Sequence, residues 1–238
     1  MEIIPFDELK IIAGEKGFTL EILEKDYLIT YLLYLIKDIE GIYFKGGTAL
    51  NKIFFNHARL SEDLDFTLTR DVKKIEQEIK NKLSGTIFKK ITYDKRVDKF
   101  IRLIVHYTLY HQEGTISIDL NERGKLLLKP EQYSIKHFYP EYLPDYKVNT
   151  LSAKELMGEK MAAAIGRNRP RDHFDLYMII KEKYPLDLAI VRKKCEASNY
   201  VFDITRMFNK ARKLRNQWDQ DVGQFLTEKI PFQTVMKT

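Results

Sequence analysis

Apolar residues in this chain fall at helical spacing over residues 7–39, give way to short strand-like runs, and return to helical spacing after residue 151. The first stretch predicts one or two helices, the second over residues 20–39. Its apolar centre, residues 27–36, is flanked by Lys25, Asp26, Lys37 and Asp38. At about ten residues it is too short to span a bilayer and reads as a buried amphipathic helix. Residues 42–44 predict a buried strand, 49–55 a helix, and 63–68 a second strand. Val72, Ile75, Ile79 and Leu83 mark one face of a helix over 71–83, with Asp71 near its N-terminus. Strand-like runs follow at 86–93, 100–110 and 115–120. In the last, Ile116, Ile118 and Leu120 alternate with Thr115, Ser117 and Asp119, after a Gln-Glu-Gly turn at Gly114. The stretch 121–150 carries Pro130, Pro140 and Pro144 and reads as an irregular link. Beyond it, Ser152 and Glu155 form a capping-box pattern leading into a helix to residue 165. Further helices are expected from Asp172, from Asp187 and over 201–218. The order predicts an α+β fold: residues 1–145 supply N-terminal helices and a mixed-sheet core, and residues 146–238 a C-terminal helical bundle.

Composition narrows the class. The chain has 238 residues, 44% of them apolar and 31% charged, enough to bury a full core. The formal charge of +6 leans towards an acidic partner, nucleic acid first. The single cysteine, Cys195, excludes an internal disulfide and a cysteine-built zinc site and fits a reducing cytoplasm. The N-terminal sequence lacks the basic-then-apolar order of a signal peptide, so a cytoplasmic protein with no membrane partner is expected. The histidines (57, 106, 111, 137, 173) show no His-x-x-x-His pairing, and neither a Ser/His/Asp hydrolase motif nor a Walker loop is present.

The chemistry concentrates in residues 42–66. A Gly46-Gly47-Thr48 turn lies between an apolar strand and a helix, followed by Asp63 and Asp65 one residue apart. Residues i and i+2 of a strand project to the same face, so both carboxylates point at one spot. Paired hard oxygen ligands suit Mg²⁺, which favours carboxylates plus substrate phosphates over an all-protein cage. Glycines upstream let the backbone approach closely, and N–H groups opening a helix can meet a phosphate. Either motif alone is commonplace: Gly-Gly is a frequent turn, and Asp-x-Asp is usually a solvated strand edge. Their order and spacing together point to a site for a nucleoside triphosphate and its metals.

That spacing resembles the signature of nucleotidyltransferases similar to DNA polymerase β, namely Gly-Gly-Ser/Thr, a short helix, then acid–apolar–acid–apolar. The longer string Phe-Lys-Gly-Gly-Thr-Ala-Leu … Arg-Leu-Ser-Glu-Asp-Leu-Asp-Phe looks like the AbiEii family. These are toxins of type IV toxin–antitoxin and phage-abortive systems, to which the mycobacterial MenT toxins are also similar. A second stretch, Glu159-Lys160 … Ala163 … Arg167 … Arg171-Asp172 … Asp175, resembles the family's other signature.

The resemblance implies a polymerase-β-like core followed by helices that wall a cleft. It implies two Mg²⁺ ions, or Mn²⁺ in their place, held by Asp63 and Asp65, with Asp119 as a third carboxylate from a neighbouring strand. Lys45, Gly46, Gly47, Thr48 and Lys160 would bind the nucleotide, and Asp175 would be required for activity. Lys160 falls on the apolar stripe beside Leu156, Ala163 and Ala164, where a lysine either snorkels outward or meets an anion. Asp172 and Asp175, three apart at a helix start after Pro170, also read as an N-cap and a first-turn acid, and Asp172 as an arginine's partner. Arg167 and Arg171 can bind phosphate or RNA, or pair with these acids. Arg59 is expected to flank the triphosphate, and Ser61 and Glu62 to orient the acidic strand. Arg212, Lys213 and Arg215 lie in a basic run that can track a phosphate backbone, although such runs are commonly just solvated faces. The expected reaction moves a nucleoside monophosphate from an NTP to an acceptor hydroxyl, the tRNA 3′ end first, with a DNA-binding antitoxin as partner. A small-molecule or protein acceptor, or a non-catalytic nucleotide- or RNA-binding protein, are the other readings.

Overall fold

The computed structural model describes residues 2–110 and 112–237; Met1, His111 and Thr238 lie outside the described residues. Helices α1 (Phe6–Lys16) and α2 (Leu20–Ile36) open the chain. Thr19 caps α2 by accepting the Ile22 N–H on its hydroxyl, which satisfies one of the donors a helix start leaves open. α2 is buried on nearly every side from Leu23 to Ile36, so its apolar run is central rather than amphipathic. Its one deeply buried aspartate, Asp26, is neutralised by Lys52 at 2.7 Å and accepts the Tyr139 hydroxyl at 3.1 Å.

Strand β1 (Ile42–Lys45) runs straight into the helical turn α3 (Gly46–Ala49), which widens to a π-helical turn over Leu50–Phe54. Strand β2 (Asp63–Leu68) returns antiparallel to β1. Helix α4 (Val72–Leu83) is capped by Asp71, which accepts the Lys74 N–H at 3.0 Å. Strands β3 (Phe88–Val97), β4 (Phe100–Leu109) and β5 (Gln112–Asn121) then form a meander, followed by β6 (Glu131–Ser134) and β7 (Lys147–Thr150). The strands build one mixed sheet in the order β3-β4-β5-β2-β1-β7-β6, parallel at β5–β2 and β1–β7.

Two expectations change here. Gly114 lies inside β5 opposite Tyr107, not in a turn, and a Cβ there would stand 2.2 Å from the Tyr107 hydroxyl. The stretch 121–150 is not merely a link, because β6 and β7 pair within it and carry the sheet past residue 145 to Thr150. Each of these strands is only four residues long, too short for period-2 alternation to stand out between the prolines.

The C-terminal part is helical: α5 (Ala153–Gly166), α6 (Pro170–Lys181), α7 (Leu188–Ala197), α8 (Ala211–Asp221) and α9 (Phe232–Lys237). Half of the expected capping box forms. Ser152 accepts the Glu155 N–H, whereas the Glu155 carboxylate turns away to accept the Leu127 and Leu128 N–H groups at 3.0 Å and to pair with Lys194 at 2.6 Å. The helix expected over 201–218 is split, because Asp203 caps a separate short turn over Ile204–Met207. Among the described residues no helix is long and apolar enough to cross a membrane.

Strand alternation divides the sheet's chemistry. Leu64, Phe66, Leu68, Ile116, Ile118 and Leu120 are buried in the core, on the face against which α4 packs. Asp63, Asp65, Ser117 and Asp119 share the opposite face, which looks towards α5–α8.

Candidate active site

β2 and β5 run parallel in a register that sets Asp65 directly beside Asp119 and Asp63 beside Ser117. On the other side of β2, Lys45 is the register partner of Asp65. Three residues far apart in sequence are therefore fixed side by side by backbone pairing alone.

Gly46 makes room for this arrangement. It sits at φ 79°, in the left-handed region, and a Cβ there would lie 2.2 Å from Asp65 Oδ2. Gly46→Ala should therefore push the Asp65 carboxylate aside. A loss of transfer of at least about tenfold and a destabilisation of about 1–3 kcal/mol are expected from the strained backbone, measurable by labelled-nucleotide transfer and urea unfolding. Gly47 is constrained from the other side, since a Cβ would meet Arg59 Nη2 at 2.4 Å and Asp175 Oδ2 at 3.3 Å. Thr48 is buried and faces neither cavity described below; its hydroxyl donates to the Asp63 carbonyl and ties the helical turn to β2.

The carboxylates divide into neutralised and unneutralised ones. Asp119 accepts a two-pronged bond from Arg102, Nε to Oδ1 at 2.6 Å and Nη2 to Oδ2 at 2.8 Å. Asp172 is gripped in the same way by Arg167, at 2.8 and 2.7 Å, and Asp175 by Arg59, at 2.8 and 2.7 Å. Lys160, 5% exposed, lies between the last two, 3.2 Å from Asp172 and 2.9 Å from Asp175. Burial alone would raise both of these carboxyls, but Lys160 and the arginines outweigh it and hold them below their usual range.

Asp63 and Asp65 make no ion pair among the described residues. Burial, reinforced by Asp119 and Asp63, pushes Asp65 up to about 6, with Lys45 only partly offsetting it. Asp63, more exposed than Asp65, is raised too, by partial desolvation first and then by Glu62 and Asp119, against Arg171 and Lys25. No three acidic, imidazole or thiol groups among the described residues converge into a ready-made metal cage. An uncompensated pair of hard carboxylates beside an open cavity fits a divalent ion that takes its remaining ligands from water and phosphate. Asp119 fits more loosely, because each oxygen bonded to Arg102 retains only one further lone pair.

Two cavities open onto this face. The first, about 620 Å³, includes Lys45, Gly46, Asp65, Lys160, Arg167 and Tyr200 among its walls. The second, about 600 Å³, includes Gly47, Asp63, Asp65, Asp119, Arg171 and Lys213.

The remaining sequence candidates are distributed as follows. Lys45 pairs with Glu159, which also holds Lys194 at 3.0 Å. Arg59, expected beside the triphosphate, lines the second cavity but is 2% exposed, with both prongs on Asp175. Asp175 itself is fully buried behind Lys160 and reaches neither cavity. Arg171 donates to Glu62 at 3.2 Å and to the Asp221 carbonyl at 3.0 Å, with its guanidinium 4.7 Å from the Phe225 ring centroid. Glu62 also pairs with Lys25 at 3.1 Å. Arg212 and Arg215 are exposed and border neither cavity, whereas Lys213 does. Sequence reasoning missed Arg102 and gave no role to Glu159 or Lys194. Arg102 is recoverable from strand register once the β4–β5 connection is placed correctly.

A mixed sheet carrying paired aspartates after a Gly-Gly turn, walled by helices that bring in buried cations, defines a nucleotidyltransferase. The family model described as nucleotidyl transferase AbiEii toxin of type IV toxin–antitoxin systems matches residues 32–238, and the chain belongs to that family. Its fold is similar to that of MenT4, the nucleotidyltransferase toxin Rv2826c from Mycobacterium tuberculosis H37Rv. The TM-score is 0.66 at 20% identity, over 92% of this chain and 73% of the other. It is also similar to JHP933 from Helicobacter pylori, with a TM-score of 0.62 at 20% identity, over 92% of this chain and 88% of that one. Comparison with curated protein sequences gives no significant match.

Proposed function

We propose that this toxin transfers a nucleoside monophosphate from an NTP to the 3′ hydroxyl of an RNA, most directly a tRNA, in a reaction that depends on Mg²⁺. The observation that carries the reading is the unneutralised Asp63–Asp65 pair, set beside Asp119 and opening onto cavities rich in cations. Asp63 and Asp65 would hold the metal, and Asp119 would complete the set. Bound divalent ions supply neutralisation of the triphosphate and activation of the attacking hydroxyl. The acceptor oxygen bonds to the α-phosphorus, the bond from that phosphorus to the bridging oxygen breaks, and pyrophosphate leaves. Asp119 takes the hydroxyl proton through a free lone pair. Lys45 and Lys160 face the charge of the triphosphate, and Asp175 acts on it only by positioning Lys160. The helices after residue 151 wall the cleft. An RNA acceptor is supported by the +6 charge, and tRNA by the resemblance to MenT toxins. Capping the tRNA 3′ end would block aminoacylation and stop growth, and an antitoxin encoded beside the toxin would restrain it.

The test supplies each α-labelled NTP with total RNA and Mg²⁺ and follows the label. The expected result is label in tRNA-sized RNA from one preferred NTP, lost on chelation with EDTA. Label in protein or a small molecule but in no RNA would sink the RNA acceptor and leave the transferase standing.

A further inference from the structure

The two cavities meet at Asp65, Lys160 and Arg167 but differ in what else they offer. In the first, Lys45 and Lys194 are both committed to Glu159, and the exposed lysines without an ion pair among the described residues, Lys125 and Lys193, lie on a cavity that Asp119 does not border. In the second, α8 and its N-cap residue contribute Lys210, Lys213, Gln217 and Asp221, residues that recur along one stripe. Arg169, Lys210 and Lys213 are exposed and make no ion pair among the described residues. Asp119 borders the second cavity and not the first.

We propose that the second cavity is the entrance for the acceptor strand: RNA phosphates lie along Arg169, Lys210 and Lys213, and the 3′ end reaches Asp119, while the donor triphosphate occupies the first cavity. The inference rests on the transferase reading above and adds the direction of each substrate. Attacking and leaving oxygens stand roughly in line across the phosphorus in phosphoryl-type transfer, so donor and acceptor need separate openings on a shared centre. The group that takes the hydroxyl proton belongs on the acceptor's side, and Asp119 borders only the second cavity. Unpaired exposed cations bind a phosphate backbone at little cost, whereas cations already held by a carboxylate must first exchange partners. The basic composition of α8 is therefore not the determinant; the face is. Arg212 and Arg215 belong to the same helix but not to the stripe.

Two charge-matched double variants on α8 and its N-cap test this: Lys210→Gln with Lys213→Gln, and Arg212→Gln with Arg215→Gln. The probe is unfractionated tRNA, titrated at two salt concentrations, alongside the KM for the preferred NTP. The lysine pair is expected to weaken tRNA binding about tenfold at low salt and to lower the salt slope by up to about 2, with the NTP KM unchanged. The arginine pair should stay within about twofold of wild type on the same measurements. Equal losses in both doubles, no loss in the lysine double, or a raised NTP KM in the lysine double would each overturn the assignment while wild type still labels tRNA. A wild type that consumes NTP yet neither binds nor labels tRNA would overturn the RNA reading itself, and the inference with it.

Discussion

Asp65→Asn is expected to lower transfer by at least about 10³-fold while making the metal-free protein more stable at pH 7, an opposition that a merely structural aspartate would not give. The Asp65 carboxyl is raised to about 6 by burial and by its acidic neighbours Asp119 and Asp63. For an acid, a raised folded-state value means that the folded protein holds a proton more tightly than the unfolded chain does. The stability this lends is fully present below the unfolded value near 4, and it is lost as pH rises through about 6. At pH 7 the ionised carboxylate is thus a net burden, and asparagine removes it. The gain should be on the order of 1–3 kcal/mol and should shrink as pH falls towards 4. Mg²⁺ should raise the Tm of wild type and not of Asp65→Asn. Thermal scans at pH 4 and pH 7, with and without Mg²⁺, read all of these. Wild-type transfer by Asp65→Asn at saturating Mg²⁺ would remove the residue from the centre. A variant less stable than wild type at pH 7 would refute the electrostatic account.

The elements that position these groups differ in how far the sequence betrays them. β2 and β5 alternate cleanly, so the shared face of Asp63, Asp65 and Asp119 follows from period 2. Which residue stands opposite Asp119 does not, because it depends on where the β4–β5 connection turns. A turn ending at Gly114 would bring His106 across from Asp119, whereas the observed register brings Arg102 there. An offset of a few residues in one turn hides a guanidinium in the centre. Lys160 is legible as an oddity, a lysine on an apolar stripe, but the sequence leaves open whether it snorkels or meets an anion. The fold answers with Asp172 and Asp175, brought to it by the α5–α6 connection. The basic run after residue 205 is visible as composition. Its division into a stripe on the second cavity and residues off it depends on where α8 begins, and the separate turn over Ile204–Met207 shifts that start.

The other large effect separates Lys160 from Asp175, which touch each other but carry different loads. Lys160→Met removes an ammonium whose two carboxylate partners each keep an arginine, Asp172 on Arg167 and Asp175 on Arg59. No buried charge is stranded, and methionine preserves the stem's bulk and helix propensity. The variant should fold with Tm unchanged or raised. It should still lose most transfer, because the ammonium borders both cavities where triphosphate charge must be met. Asp175→Ala does the reverse to the network. It leaves Arg59, 2% exposed, with no carboxylate and Lys160 with Asp172 alone, and it should cost about 3–5 kcal/mol. Because Asp175 is held below its ordinary value, its stabilisation is in place above about pH 4 and is withdrawn only in stronger acid. Urea unfolding at pH 7 should therefore rank wild type and Lys160→Met together and Asp175→Ala far below, with both variants poor in transfer. A fully active Lys160→Met protein would return the lysine to packing, and an Asp175→Ala protein as stable as wild type would show that Arg59 finds its counter-charge elsewhere.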